Sequence, residues 1–230
     1  MKRIGIMIGN GITIDACNSF RDKLGNFNTH NFFSWDVETP GEKGSCFLEK
    51  LPTLYKVLNQ IENKYTNLND FEKIKKMLEI TDKKISDFEA NILLTELKHY
   101  LAIVFSKFQI EFNKCDISDW KWTKWFKKNR SDIVFCHSFN YDLILESIMK
   151  YCNINYRRIG VVNETAGVLI FKPHGSIDFE TAEGTSNMPS ITYPLINIVT
   201  RNNLALKTLS ENEWLMPRKE VDIVLPNEYS

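Results

Sequence analysis

No Cys-x-x-Cys pair occurs in the 230 residues, and the five cysteines (Cys17, Cys46, Cys115, Cys136 and Cys152) are widely spaced and odd in number. That excludes a zinc ribbon and a framework of paired disulfides. Net charge is absent too: 29 Lys and Arg balance 29 Asp and Glu. No basic field therefore covers the whole surface for nucleic acid. No stretch approaches the roughly 18 apolar residues of a membrane-spanning helix. After Lys2 and Arg3 the apolar run is cut at Gly9-Asn10-Gly11, too soon for the core of a signal peptide. Internal repeats and low-complexity tracts are lacking as well. The chain reads as soluble and, from its free thiols, cytoplasmic.

What is present is ordinary globular material, 43% apolar and 25% charged. A chain of this length makes one or two domains and buries roughly 70% of its unfolded surface. Ile4 to Ile8 is a short apolar run that fits a strand buried on both faces. Strand character returns at Asp132 to Ser138, at Val168 to Lys172 and at Val221 to Leu225. Helical spacing follows the second of these, over Asp142 to Tyr151. Strands alternating with helices predict an α/β fold, Rossmann-like, with a mainly parallel sheet.

Residues 12 to 45 predict a short helix and then loops. Between Phe47 and Phe112 glycine is absent and proline occurs only at Pro52. Ser86-Asp87-Phe88-Glu89 forms a capping-box pattern. Behind it Phe88, Ile92, Leu93, Leu97, Leu101, Val104, Phe105 and Phe108 make one helical stripe. The spacing predicts an all-helical insertion over 47–112, set into an α/β domain made of 1–46 and 113–230.

Three constellations carry chemistry. Gly9-Asn10-Gly11-Ile12-Thr13 directly follows the first strand, where glycines let a ligand approach the backbone and a helix start offers free amides. Ile14 stands where a dinucleotide fingerprint has its third glycine, so an ordinary strand-to-helix turn is the competing reading. Ser138-Phe139-Asn140-Tyr141-Asp142 ends the second strand, at the sheet edge where ligands bind. Asn140 and Asp142 serve equally as ligand contacts or as helix caps. Lys172-Pro173-His174-Gly175-Ser176 ends the third strand and places a histidine where it can titrate near neutrality, although a lone histidine is more often structural. His30, His99 and His137 show no metal-ligand spacing. Trp120 to Arg130 interleaves aromatics with basic residues. It reads as an amphipathic helix with tryptophans on the sheet and lysines in water, ahead of a nucleic-acid platform.

In order, these motifs resemble those of the sirtuin family: a GAGxS loop, a TQNxD segment and a His-Gly pair. Val221-Asp222-Ile223-Val224-Leu225-Pro226-Asn227-Glu228 is similar to the family's PDIVLFGE segment. The chain departs from sirtuin deacylases in lacking the cysteine quartet, in having Phe139 for the Gln, and in its helical insertion. It looks more like the zinc-free sirtuin-like domains of bacterial antiphage, abortive-infection proteins.

That resemblance implies hydrolysis of NAD+ at the nicotinamide–ribose bond, without a metal. It puts Asn140 on the water or ribose, His174 as the base, and Asp142 in the nicotinamide pocket. Gly9, Asn10, Gly11 and Thr13 fall on the phosphate side, with Asp15 and Gly175 also among the cofactor-binding positions. It implies further strands beyond Glu228 carrying a Gly-Thr-Ser or Gly-Tyr-Ser turn, so the 230 residues are expected to be completed by a further segment or a partner. Gating by a homo-oligomer or a sensor domain is expected with it. Two alternatives stay open: a non-catalytic module that binds NAD or an ADP-ribose derivative, and a protein deacylase.

Overall fold

The computed structural model describes residues 3–35, 37–39, 41–81, 86–181, 206–216, 218 and 221–225. Strand β1 (Ile4–Ile8) leads into helices α1 (Asn10–Ser19) and α2 (Arg21–Leu24). A helical stretch follows: α3 (Pro52–Lys64), α4 (Asp70–Thr81), α5 (Asp87–Phe112) and α6 (Lys121–Asn129). Then come β2 (Ile133–Ser138), α7 (Ile144–Tyr151), β3 (Tyr156–Arg158) and β4 (Val168–Phe171). Two short strands, β5 (Phe179–Thr181) and β6 (Leu206–Thr208), form a separate antiparallel pair.

The main sheet runs β1-β2-β4-β3, and all its pairs are parallel. This is the expected α/β architecture. Ile8 lies opposite Ser138, and His137 opposite Phe171. Parallel register therefore brings the ends of β1, β2 and β4 to one edge, and the three motif loops all leave from it.

Helical propensity accounts for the insertion. Pro52 sits in the first turn of α3, where its missing N–H costs nothing. At the start of α5 the Ser86 hydroxyl accepts from the Glu89 amide at 3.3 Å, while Glu89 reaches back to the Ser86 amide at 3.4 Å. The expected stripe along α5 is too narrow. From His99 to Gln109 only Lys107 is not fully buried, because this helix runs through the middle of the molecule and is covered on all sides. Phe88, assigned to the stripe, is 64% exposed, since it lies in the first turn, ahead of that covered stretch. The insertion shares one apolar core with the sheet: Leu54, Ile74 and Phe105 belong to the same cluster as Ile8 and Ile170.

Three strand expectations need correction. β1 is an edge strand whose residues alternate, and Met7 is 74% exposed, so it is not buried on both faces. β3 escaped notice because three residues, two of them arginine, show no periodicity. Val221 to Leu225 does not join the parallel sheet. Its one backbone bridge is antiparallel, Gly175 to Ile223; Pro226, Asn227 and Glu228 of that motif lie outside the described residues. Among the described residues no helix is long and apolar enough to cross a membrane.

His99, inside α5, is fully buried, and its Nδ1 lies 2.8 Å from the Thr95 carbonyl. Burial lowers its pKa from 6.5 to about 4. The unfolded chain thus takes up the proton first, and stability falls as the pH drops from about 6.5 to about 4. The loss amounts to about 3 kcal/mol. Urea denaturation at a series of pH values should show the wild type losing that much more than His99→Gln; parallel pH profiles would contradict it.

Candidate functional site

Five of the predicted residues converge. Asn10, Thr13, Asn140, Asp142 and His174 line one cavity of about 230 Å3 at the carboxyl edge of the sheet. Its other walls are aromatic: Phe71 and Phe105 from the helical insertion, and Phe139 and Tyr141 from the loop after β2. Phe71 and Phe105 carry no signal in the sequence beyond core periodicity, so only the fold reveals them as site residues.

The polar wall is a chain of hydrogen bonds. Thr13, in the first turns of α1, donates its hydroxyl proton to Asp142 Oδ2 at 2.7 Å and accepts from Asn140 Nδ2 at 2.9 Å. One hydroxyl has one proton, so the bond to Asp142 fixes the Asn140 amide with its nitrogen toward Thr13. Oδ1 of Asn140 is left as the acceptor. Asp142 lines the cavity, and its Oδ1 also accepts from the Ile144 amide at the start of α7 at 3.2 Å, as a helix-capping side chain does. Burial raises the Asp142 pKa, opposed by the Thr13 hydrogen bond and by Lys172. Lys172 Nζ donates to the Asp142 carbonyl at 2.6 Å and to Glu146 Oε1 at 3.1 Å.

His174 is half-buried, its ring centroid 5.5 Å from that of Phe139. His137 stacks on the same Phe139 at 4.4 Å. Burial, and then the neighbouring His137, lower the His174 pKa below 6.5. It is a neutral imidazole at pH 7, able to accept a proton. No cysteine lines this cavity among the described residues. Burial and then Asp142 push the Cys17 thiol up to about 12, and burial followed by Glu146 does the same to Cys136.

The other predicted residues lie elsewhere or act differently. Gly9 is the N-cap of α1 in an extended conformation, and a Cβ on Gly9 or Gly11 would meet nothing within 4 Å. The backbone there is open to a ligand. Asp15 does not line the cavity. Its Oδ2 accepts from the Trp120 and Trp122 indoles, both at 3.0 Å, and its Oδ1 from Lys121 at 2.6 Å. It thereby ties α1 to α6. Trp120 also packs edge-on against Phe20 and Phe112. Asn10 donates to Thr29 at 3.1 Å, and beyond Thr29 a separate groove of about 430 Å3 runs along α1 past Arg21. Among the described residues, no cluster of three or more His, Cys, Asp or Glu is placed to hold a metal.

Gly175 is a packing requirement. Its φ is +77°, and a Cβ there would fall 1.7 Å from the Asp222 carbonyl oxygen. That close approach lets Ser176 donate to Asp222 at 3.1 Å, and Val224 to the His174 carbonyl at 3.0 Å. Tyr141 adds a hydrogen bond from its hydroxyl to the Val224 carbonyl at 2.8 Å. Gly175→Ala should therefore displace residues 221–225 and cost more than the ~1–3 kcal/mol of backbone strain alone. Denaturation together with amide exchange at Ser176 and Val224 will show it; unchanged protection at both amides would refute this packing role. No family model matches this chain, and no curated protein matches it.

Proposed function

We propose that the chain is an NAD+ glycohydrolase, in which water replaces nicotinamide on the ribose to give nicotinamide, ADP-ribose and a proton. The observation that carries this reading is the convergence of Asn10 and Thr13 from the first turns of α1, Asn140 and Asp142 from the loop after β2, and His174 from the loop after β4, on one small cavity half lined by aromatic rings. The volume suits a nicotinamide ribose and not a whole dinucleotide. The open backbone at Gly9 and Gly11, at the N-terminus of α1, then receives the pyrophosphate.

In this mechanism the C–N bond breaks as positive charge develops on the ribose, and nicotinamide leaves neutral. Phe71, Phe105 and Phe139 hold the flat ring and exclude bulk water. Asn140 Oδ1 accepts from the attacking water and fixes its direction, while Thr13 and Asp142 keep the Asn140 amide in place. His174 takes the proton released as the new C–O bond forms. Asp142 acts through Thr13, because both its oxygens are already engaged. On this reading the fold is the Rossmann-like arrangement of the zinc-free sirtuin-like domains, with output the depletion of NAD+ in an infected bacterial cell. An oligomer or a sensor domain would gate it.

Purified protein incubated with NAD+ should release nicotinamide, followed by chromatography. Asn140→Ala and His174→Ala should each cut the rate by about 100-fold or more while preserving the fold. Near-wild-type hydrolysis by His174→Ala would sink the mechanism. NAD+ binding without nicotinamide release would instead establish the non-catalytic module.

The pH profile is a separate check. His174 must be neutral to act, and its pKa lies below the ordinary 6.5. Activity should therefore persist on acidification past pH 6.5 and fall only below it. An acid limb centred above 6.5 would assign the base to another group.

A further inference from the structure

A second cavity, of about 840 Å3, lies between α7, β3 and the 208–214 segment and shares no residue with the first. Charged groups gather at its inner end. Arg158 Nη1 donates to Asp178 Oδ2 at 2.7 Å and stands 3.9 Å from Glu146 Oε1. Arg158 also grips Glu164 through Nε and Nη2, and Lys172 pairs with Glu146 at 3.1 Å. Two cations thus face three carboxylates. The excess is visible atom by atom: among the described residues Glu146 Oε2 and Asp178 Oδ1 have no hydrogen-bond partner, although each residue is only 3% exposed.

We propose that this cavity is a binding site for a small organic cation, one bearing a guanidinium or primary ammonium group. Such a group brings the missing positive charge and several N–H donors to two carboxylates that already flank a single arginine nitrogen. Buried acceptors left unpaired cost free energy, and a donor that enters recovers it. The walls suit the rest of the ligand, since Tyr156 and Trp214 present aromatic surface that favours cations. Burial keeps the Tyr156 phenol protonated, its pKa pushed up to about 12. Lys114, Lys150 and Glu211, all exposed, also line the cavity and set its outer potential.

The proposal stands whether or not the chain hydrolyses NAD+, and its test reads binding. Agmatine is the probe, with N-butylurea as its uncharged counterpart, in low-salt buffer. Both are titrated into 15N-labelled protein while the tryptophan indole signals are followed. Agmatine should shift the Trp214 indole saturably and leave those of Trp120 and Trp122, held by Asp15, in place; N-butylurea should do neither. Asp178→Asn should weaken binding by about tenfold or more. In case that variant does not fold, two exposed charge swaps decide. Glu211→Lys should weaken agmatine by about threefold and Lys150→Glu should strengthen it by about as much. Lys43→Glu, at an exposed position that does not line the cavity, should change nothing. An unmoved Trp214 signal, an equal response to N-butylurea, or affinities indifferent to both swaps would overturn the assignment.

Discussion

Asp142 is the constraint on which the carboxyl edge of the sheet depends. A carboxylate that is 2% exposed loses most of its hydration, at a cost of several kcal/mol unless other groups replace the water. Two donors come from different elements, the Thr13 hydroxyl from α1 and the Ile144 amide from α7, while Lys172 at the end of β4 holds the Asp142 backbone carbonyl and acts on the carboxylate through its charge. Satisfying this one residue therefore fixes three elements relative to β2. The Asn140 amide is oriented as a by-product, through the same Thr13 hydroxyl.

This explains why several residues that line the cavity could be picked out from the sequence. A buried polar junction at a sheet edge requires particular residue types at strand ends, and Thr13, Asn140, Asp142 and His174 are all short-range features of such ends. Glycines were harder to interpret, because a glycine that admits a ligand and one that admits another backbone look alike. Gly9 leaves open space, whereas Gly175 is filled by Asp222. Asp15 misled for a related reason. It sits beside the motif in the chain, but a helix turns successive residues through about 100°, and its side chain leaves the cavity for the tryptophans of α6.

The helical insertion shows the opposite limit. Its helices were legible from the capping box and the glycine-free run, but their function was not. Phe71 and Phe105 sit at ordinary helical spacing, and nothing local separates a phenylalanine that closes a cavity from one that fills a core. The distinction arises only where α4 and α5 meet the loop after β2, with the Phe105 ring 5.7 Å from Tyr141. The outer face of the sheet is similar. Met7 and Phe171 are apolar in sequence, which suggests burial, yet they lie 74% and 37% exposed. Hydropathy records what a residue tolerates, and the neighbouring elements decide what it meets.

The two cavities are joined by one cation. Lys172 divides its ammonium between the Asp142 carbonyl, at the first site, and Glu146, at the second. The pKa of Asp142 is lowered by Lys172 and raised by Glu146, so charge at Glu146 is felt at Asp142 through both. Neutralising Glu146 removes a repulsion on the Asp142 carboxylate and releases part of the lysine toward it; both changes favour the ionised acid. A carboxylate that is more fully ionised holds the Thr13 proton more strongly, and Thr13 in turn presents a better acceptor to the Asn140 amide. The route from Glu146 to Asn140 is four hydrogen bonds long and passes only through groups at least nine-tenths buried, where water screens little. Asp142 therefore feels the charges of both Lys172 and Glu146 while its side chain holds Thr13 and, through it, the Asn140 amide.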